Sequence, residues 1–179
     1  MSGWETRSTR EVYANPWIRV REDEVVRPDG SAGIYGVVEV RQPAVFVVAV
    51  TDDEQVLLVT LHRYTNGTTS TEVPAGGSDG EELEAAARRE LLEETGYVAR
   101  DWAHLGAQYS LNGVADARGE VFLARGLDHT DRGELEAEGI SAVAAYPWSD
   151  VRRMVRDGTI TDSESVAALM LAAIELELF

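Results

Sequence analysis

A glycine-rich loop that runs into a helix carrying three glutamates is the feature of this sequence that most restricts its fold. The stretch covers residues 75–97 and reads AGGSDGEELEAAARRELLEETGY. On a helix that turns about 100° per residue, Glu90, Glu93 and Glu94 lie at positions i, i+3 and i+4, so their carboxylates share one face. Leu83 and the two alanines at 86 and 87 fall on the same stripe. We therefore predict that the glutamates point toward the interior of the fold.

Three carboxylates on an inward-looking face need a cation. Uncompensated carboxylates in such a position cost several kcal/mol each and repel one another. Arg89, four residues before Glu93, supplies one positive charge against three negative ones. A hard divalent cation such as Mg²⁺ binds carboxylate oxygens together with substrate phosphates and water. The helix is thus predicted to be a platform for divalent metal ions.

The order of residues along this stretch resembles the Nudix box, the motif of hydrolases that cleave nucleoside diphosphates linked to another moiety. The matching residues are Glu81, Arg89, Glu90, Leu91, Glu93, Glu94, Gly96 and Tyr97. The residues that the resemblance makes catalytic are Arg89, Glu90, Glu93 and Glu94, and those expected at the metal are Gly76, Glu90, Glu93 and Glu94. We expect two or three ions of Mg²⁺, with Mn²⁺ as an alternative.

The loop in front of the helix departs from the family pattern. The family places a glycine six residues before the first glutamate of the box, and this sequence has Ala75 there. Gly76 takes the role of that glycine if the loop is one residue shorter. Pairing Gly76 with Glu82 instead would shift the helix register and rotate the carboxylates. We favour the shortened loop, which leaves the role of Glu81 open.

The rest of the chain predicts a mixed α/β fold. Residues 1–10 are polar and unpatterned and are predicted to be a frayed terminus, whereas the alternation over 12–40 predicts antiparallel strands. The apolar runs 44–50 and 55–61 predict two buried strands. The Nudix resemblance implies an α/β/α sandwich with a mixed sheet, preceded by an N-terminal antiparallel β-sheet. The expected domains are the N-terminal sheet, 1–42, which serves dimerisation and contacts the substrate base, and the Nudix hydrolase domain, 43–179.

Capping residues predict where two of the helices begin. Ser78 or Asp79 is expected to cap the metal helix. Thr161 is expected to cap the last helix, with Glu164 completing a capping box.

Charge and composition exclude several classes of function. With 16 basic against 32 acidic residues, the net charge of −16 disfavours binding to a long nucleic acid, which rewards basic patches. The absence of cysteine excludes thiolate metal sites and cysteine nucleophiles. No apolar run approaches the roughly 20 residues that span a bilayer. We expect a cytoplasmic protein without membrane association.

The residues just before the box resemble those of ADP-ribose pyrophosphatases and related nucleotide-sugar hydrolases. The segment is His62-Arg63-Tyr64 followed by Glu72-x-Pro74-Ala75-Gly76. The resemblance implies a homodimer through the N-terminal sheets, in which Trp17 or Tyr13 stacks on the substrate base across the dimer. Arg63 is expected to hold phosphate. The expected substrate-binding residues are Trp17, Arg63, Glu72, Gly76 and Gly77, although an aromatic residue in a strand more often serves core or interface packing.

An acidic segment late in the chain supplies candidates for the residue that orients or deprotonates the attacking water. In the subfamily that this chain resembles, a glutamate just before the last strand has this role, and Glu136 and Glu138 occupy comparable positions. A solvated acidic run would contain the same residues, so both remain open. Glu120 is a candidate for a further metal contact, but a glutamate at a strand edge is more often exposed.

The resemblance implies metal-dependent hydrolysis of the pyrophosphate bond in a nucleoside diphosphate linked to another moiety. ADP-ribose is the favoured small-molecule substrate, with AMP and ribose 5-phosphate as products. The loop at 110–113 lacks a proline that ADP-ribose hydrolases commonly carry, so other nucleotide sugars stay open. Two further functions also stay open, those of a nucleoside triphosphate pyrophosphatase and of a non-catalytic nucleotide-binding protein.

Overall fold

The computed structural model describes residues 3–178, which form two compact units. The first contains the N-terminal residues through Pro43 together with Tyr109–Arg118, and the second contains Ala44–Gln108 and the residues from Gly119 onward. The sequence-based division placed residues 109–118 with the second domain. The elements in chain order are β1 (Glu5–Ala14), β2 (Ile18–Val26), β3 (Ala32–Val40), β4 (Ala44–Val50), β5 (Gln55–Arg63), β6 (Thr68–Glu72), β7 (Ala75–Gly77), α1 (Leu83–Thr95), β8 (Tyr97–Tyr109), β9 (Ala115–Asp116), β10 (Arg118–His129), β11 (Ile140–Pro147), α2 (Trp148–Asp157) and α3 (Ser163–Glu175).

The first unit is a four-stranded sheet in the order β1-β2-β3-β9. The first three strands are antiparallel, which confirms the predicted N-terminal sheet, and β9 adds a short parallel edge. The prediction of a frayed terminus is wrong for the described residues, because β1 begins at Glu5. Its side chains are all exposed, and cross-strand contacts such as Ser8 to Glu24 and Arg10 to Glu22 accompany the ladder. Strand pairing, rather than apolar alternation, orders this segment.

The second unit is built around a seven-stranded mixed sheet. Its main order is β11-β5-β4-β10-β8, with β6 paired to β5 and β7 paired to β4. β4 and β10 are parallel, and the β4–β5, β4–β7, β5–β6 and β5–β11 pairs are antiparallel. The sheet lies between helices, as the Nudix-type sandwich predicts.

Strand β4 shows why both faces of this sheet are covered. Side chains alternate between the two faces of a strand. Val45, Val47 and Ala49 pack in one cluster with buried residues of α1. The alternate residues Phe46, Val48 and Val50 pack in a second cluster with residues of α2 and α3. A continuous apolar run is therefore required in this central strand.

The helix starts differ from the predicted ones. α1 begins after Glu82, which makes no side-chain capping bond, so the expected capping by Ser78 or Asp79 is wrong. α3 is capped by Asp162, whose carboxylate accepts a hydrogen bond from the Ser165 amide at 2.7 Å, and not by Thr161. Across residues 3–178, none of the helices has the length and apolar character needed to cross a lipid bilayer.

Candidate active site

Helix α1 presents its glutamates to a narrow space beside β7. Glu90 and Glu94 are 5% and 6% exposed, as the helical periodicity predicts, and the Glu93 side chain is about one quarter exposed at 25%. A Cβ atom placed on Gly76 would overlap the Glu90 carboxylate. Only glycine fits at that position, so Gly76 is the loop glycine that meets the helix. At Gly77 an added Cβ would lie 3.4 Å from its nearest neighbour, the Asp79 carboxylate.

Arg89 connects the loop to the helix. Its guanidinium donates hydrogen bonds to Glu90 at 2.7 Å and to Glu93 at 2.9 Å. It also donates to Glu81 at 3.1 Å and to the Gly77 carbonyl at 2.8 Å. One cation therefore donates hydrogen bonds to three carboxylates, and it fixes two of the predicted catalytic glutamates in place. The role of Glu81, which the sequence left open, includes this bond.

Glu94 is held by a backbone amide rather than by an arginine. Its carboxylate accepts a bond from the Ala75 amide at 2.9 Å. Burial raises the pKa of Glu94 to about 8, and the negative charges of Glu90 and Glu138 add to the rise. Burial likewise raises the pKa of Glu90. We call Glu90, Glu93 and Glu94 the α1 carboxylate cluster, and it holds more negative charge than its described protein partners compensate.

The acidic segment after β10 reaches this cluster through one of its two candidate glutamates. The Glu134 amide donates to the Glu93 carbonyl at 2.8 Å, which holds the segment against the end of α1. The charge of Glu138 acts on both Glu90 and Glu94. For Glu136, the described contacts include a backbone bond from the Gly139 amide and none from its side chain to the cluster. The electrostatic influence on Glu90 and Glu94 thus favours Glu138 over Glu136 as the candidate that acts with the cluster.

Arg63 and Glu72 form an ion pair at the edge of the same region. Arg63 donates from Nε to Glu72 Oε1 at 2.9 Å and from Nη2 to the other carboxylate oxygen. Glu72 is buried on β6, while the Arg63 side chain is partly exposed. The charge of Arg63 also acts on Glu94. Two of the predicted substrate-binding residues are thereby joined to each other and linked to the carboxylate cluster.

Trp17 and Tyr13, the candidates for base stacking, belong to the first unit. The Trp17 side chain is 70% exposed, and its amide donates to the Asn15 side chain at 2.9 Å. Tyr13 is also exposed. Tyr13 lies on β1, whereas Trp17 lies in the turn between β1 and β2 and not in a strand as expected. Their stacking role stays a prediction.

Glu120 is not the exposed strand-edge residue that the sequence suggested. It is 1% exposed, because β10 lies between β4 and β8 inside the sheet and presents no free edge there. One carboxylate oxygen lies 2.6 Å from His104 Nε2. The sequence analysis missed this buried pair; a glutamate within an otherwise apolar strand sequence is the signal that could have indicated it.

A cavity of about 400 Å³ adjoins Arg63 and Glu72 and includes residues that the sequence did not predict as site residues. Among them are Asp162 and Glu164, at the start of α3. The sequence pattern indicated Glu164 only as part of a helix cap and gave no role to Asp162. The start of α3 meets the chain beyond β6 through a bond that spans 92 positions. No local pattern in the sequence indicates such a meeting.

The donor set of the α1 carboxylate cluster fits a hard divalent cation. All of its side-chain metal-donor atoms are carboxylate oxygens. The carboxyl groups of Glu90 and Glu94 have raised pKa values. The Gly76 backbone approaches Glu90 without a side chain between them. Within residues 3–178, no three acidic or histidine side chains are already arranged around a common ion position. Hydrogen bonds from Arg89 and the Ala75 amide hold the glutamates instead.

The chain matches two domain families over adjacent ranges. Residues 4–38 match the nucleoside diphosphate sugar hydrolase N-terminal domain. Residues 40–169 match the NUDIX domain. Together these ranges cover the N-terminal sheet and the unit whose helix α1 carries the carboxylate cluster.

Similar proteins of known name include several pyrophosphatases. An ADP-ribose pyrophosphatase of Bacillus subtilis (strain 168) is 31% identical over 166 residues, which are 92% of this chain and 89% of that protein. An ADP-ribose pyrophosphatase of Mycobacterium tuberculosis is 32% identical over 170 residues, 93% of this chain and 82% of that one. A GDP-mannose pyrophosphatase of Yersinia pestis is 33% identical over 119 residues, 62% and 59% of the two chains.

A solved structure shares the fold. The crystal structure of an ADP compounds hydrolase superposes with a TM-score of 0.85 at 20% sequence identity, covering 97% of this chain and 94% of that one. At this identity the likeness establishes the common architecture.

Proposed function

This chain belongs to the Nudix family, and we propose that it hydrolyses the pyrophosphate bond of a nucleoside diphosphate sugar, with ADP-ribose as the favoured substrate. The products would be AMP and ribose 5-phosphate. The observation that carries the proposal is the α1 carboxylate cluster, in which Glu90 and Glu94 are buried, Gly76 closely approaches Glu90, and positive charge is insufficient. The names of the relatives that match over more than nine tenths of this chain support the choice of ADP-ribose.

Divalent metal ions belong to this chemistry, and we propose two or three Mg²⁺ ions, with Mn²⁺ as an alternative. The residues that would hold them are Gly76, through its backbone carbonyl, and Glu90, Glu93 and Glu94. When bound, such ions supply the charge neutralisation that a diphosphate requires before water attacks phosphorus. The raised pKa values of Glu90 and Glu94 fit this role, because a cation replaces the proton that burial favours.

The protein's own side chains divide the remaining work. Arg89 holds Glu90 and Glu93 in one arrangement through two short hydrogen bonds, so it fixes the geometry of the catalytic site. Glu138 would orient the attacking water and accept its proton, and Glu136 is the alternative. Arg63, oriented by Glu72, would contact the phosphates, and Gly77 would keep the loop close to the substrate by lacking a side chain.

The N-terminal sheet is proposed to form a homodimer and to contribute Trp17 to the base of the substrate. Support comes from the match of residues 4–38 to the N-terminal domain of nucleoside diphosphate sugar hydrolases. Further support comes from exposed apolar side chains of the first unit, including Ile34 on β3 and Trp17 in the β1–β2 turn. Cytoplasmic location, expected from the sequence, stays a prediction.

The test is a substrate panel with the purified full chain and Mg²⁺. We expect ADP-ribose to give AMP and ribose 5-phosphate in equal amounts, separated by anion-exchange chromatography, with a higher kcat/KM than GDP-mannose, other nucleotide sugars or nucleoside triphosphates. GDP-mannose is the second candidate, because a pyrophosphatase of that name is 33% identical over 62% of this chain. Tight binding of ADP-ribose without turnover of any panel member would favour a non-catalytic nucleotide-binding protein.

A further inference from the structure

The cavity beside α3 is polar and is lined by several carboxylates. We call it the α3 cavity; its volume is about 400 Å³, within the range of small-molecule sites. Most of its lining side chains can donate or accept hydrogen bonds. The residues that line it are Phe46, Arg63, Thr65, Asn66, Ser70, Glu72, Thr161, Asp162 and Glu164.

The α3 cavity lies next to the α1 carboxylate cluster. The short segment between β6 and β7 is fixed at both ends: the Val73 amide donates to Ser165 of α3 at 3.1 Å, and the Ala75 amide donates to Glu94 at 2.9 Å. Two residues of extended chain span about 7 Å. A molecule whose diphosphate lies at Glu94 would therefore have its next group within reach of the cavity.

Asp162 adds a negative charge to the cavity wall, where the guanidinium of Arg63 is already paired with another carboxylate. That guanidinium is bonded to Glu72. Asp162 accepts from the Ser165 amide at 2.7 Å. Burial raises the pKa of Asp162, and the neighbouring carboxylates of Glu164 and Glu72 add to the rise. The cavity wall at α3 is thus a place where further negative charge is unfavourable.

We propose that the α3 cavity holds the sugar of the nucleoside diphosphate sugar and selects sugars without an anionic group. This inference rests on the function proposed above and specifies which substrates that site takes. Asp162 and Glu164 accept hydrogen bonds from sugar hydroxyls, as do the side-chain oxygens of Ser70 and Asn66. A carboxylate or an additional phosphate on the sugar meets like charge in a partly buried space, which disfavours binding.

The test compares two substrates that differ at one carbon. ADP-glucose and ADP-glucuronate share the base, the diphosphate and the ring, but C6 is a hydroxymethyl group in one and a carboxylate in the other. We expect the Mg²⁺-loaded full chain to favour the neutral sugar by roughly 10- to 100-fold in kcat/KM. Where one of them is not turned over, its inhibition constant against ADP-ribose hydrolysis replaces kcat/KM.

Two charge-removing variants locate the selectivity. Asp162→Asn keeps an oxygen that can cap α3, and Glu164→Gln keeps the side-chain length, so both should fold. Asp162→Asn is expected to lower the glucose-to-glucuronate ratio by roughly fivefold or more, and Glu164→Gln to lower it in the same direction. Asp157→Asn is the matched control, because Asp157 is an exposed carboxylate outside the cavity that accepts two bonds from Thr159. Its ratio should equal that of the unmodified chain.

The outcomes separate this inference from the proposed function. Failure to hydrolyse any nucleoside diphosphate sugar would remove the proposed function and this inference with it. Hydrolysis of ADP-ribose with a ratio near one, or with a ratio that neither variant changes, would leave the function standing and refute the sugar assignment. The assignment would also be refuted if Asp162→Asn altered the preference between ADP-glucose and UDP-glucose instead, because the cavity would then contact the base. Absence of binding by both glucose compounds would equally contradict it.

Discussion

Two groups of charged residues in this molecule are made of the same residue types and balance their charges differently. On β2 and β3, Arg19 and Arg21 face Glu39 and Asp23. Arg19 bonds Glu39 at 2.5 Å, Arg21 bonds the same carboxylate at 2.7 Å, and Arg21 also pairs with Asp23. We call these four residues the β2–β3 charge ladder, with two cations for two anions. In the α1 carboxylate cluster Arg89 serves two of the three carboxylates and Glu81 besides, and Glu94 is held by a backbone amide.

The pKa of a glutamate is therefore shifted in opposite directions in the two places. Hydrogen bonds from Arg19 and Arg21 outweigh burial and lower the pKa of Glu39. Burial dominates at Glu90 and Glu94 and raises both pKa values. A balanced ladder stabilises its sheet without further partners, whereas the unbalanced cluster reaches its lowest energy only with a proton or an added cation. Charge imbalance, more than acidic content, distinguishes the candidate catalytic centre.

Removing a carboxylate from the cluster should have the largest effect on activity. Glu90→Gln and Glu94→Gln are each expected to lower kcat for ADP-ribose by roughly 100-fold or more, as when a transition-state contact is lost. Glu84→Gln is the control on the same helix, since Glu84 is exposed and pairs only with Arg88 among the described ion pairs. It should keep kcat within about twofold, because an exposed helix pair contributes little. Near-normal turnover by Glu94→Gln at saturating Mg²⁺ would contradict the assignment.

The two late glutamates should differ by a smaller margin. Glu138→Gln is expected to lower kcat by roughly 10- to 100-fold, the range of a lost general base, because the Glu138 charge reaches Glu90 and Glu94. Glu136→Gln serves as its control two residues away and should remain within about twofold of the unmodified chain. The reverse ranking of the two variants would assign the water to Glu136.

The two neighbouring glycines Gly76 and Gly77 offer a third contrast. Gly76→Ala places a methyl group where the Glu90 carboxylate lies, so the helix or the loop must move. We expect a loss of about 1–3 kcal/mol of stability, as in overpacked sites, together with a roughly tenfold fall in kcat/KM. Gly77→Ala is its neighbour control for stability, because the nearest atom to the added methyl lies at 3.4 Å. Denaturant unfolding of both variants measures the difference, and an equal loss of stability in the two would argue against close approach at Gly76.

Local patterns in the sequence were enough to predict the carboxylate cluster. Helical periodicity alone placed Glu90, Glu93 and Glu94 on one inward face, and the burial of Glu90 and Glu94 follows from that spacing. The apolar runs of β4 and β5 were recognised for the same reason. These predictions depend only on residues that are close together in the sequence, within one helix or one strand.

Features that depend on distant neighbours were missed. Glu120 was expected at a strand edge, but β10 lies between two other strands, and the order of strands in a sheet is not a local property. Strand β1 has no apolar alternation and is ordered by pairing with β2. Asp162 and Glu164 join the site because Ser165 of α3 bonds Val73, 92 positions earlier in the chain. Such contacts become visible only in the folded chain.

The central claim is that the α1 carboxylate cluster is short of a cation, and thermal unfolding against pH with and without Mg²⁺ tests it most directly. With a folded pKa of about 8 against an ordinary value of 4.5, Glu94 holds a proton better in the folded state. Its contribution to stability is therefore fully present below about pH 4.5 and is lost as the pH rises toward 8.

We expect the metal-free chain to unfold at lower temperature than its Glu94→Gln variant at pH 8, with the difference shrinking toward pH 5. Saturating Mg²⁺ should raise the midpoint of the unmodified chain by several degrees and that of Glu94→Gln by much less. Glu39→Gln is the matched control from the charge ladder: it should unfold at lower temperature at neutral pH and keep the full response to Mg²⁺. Two results together would contradict the claim: an unfolding midpoint of the unmodified chain that does not change with Mg²⁺, and a Glu94→Gln variant that is less stable than the metal-free chain at pH 8.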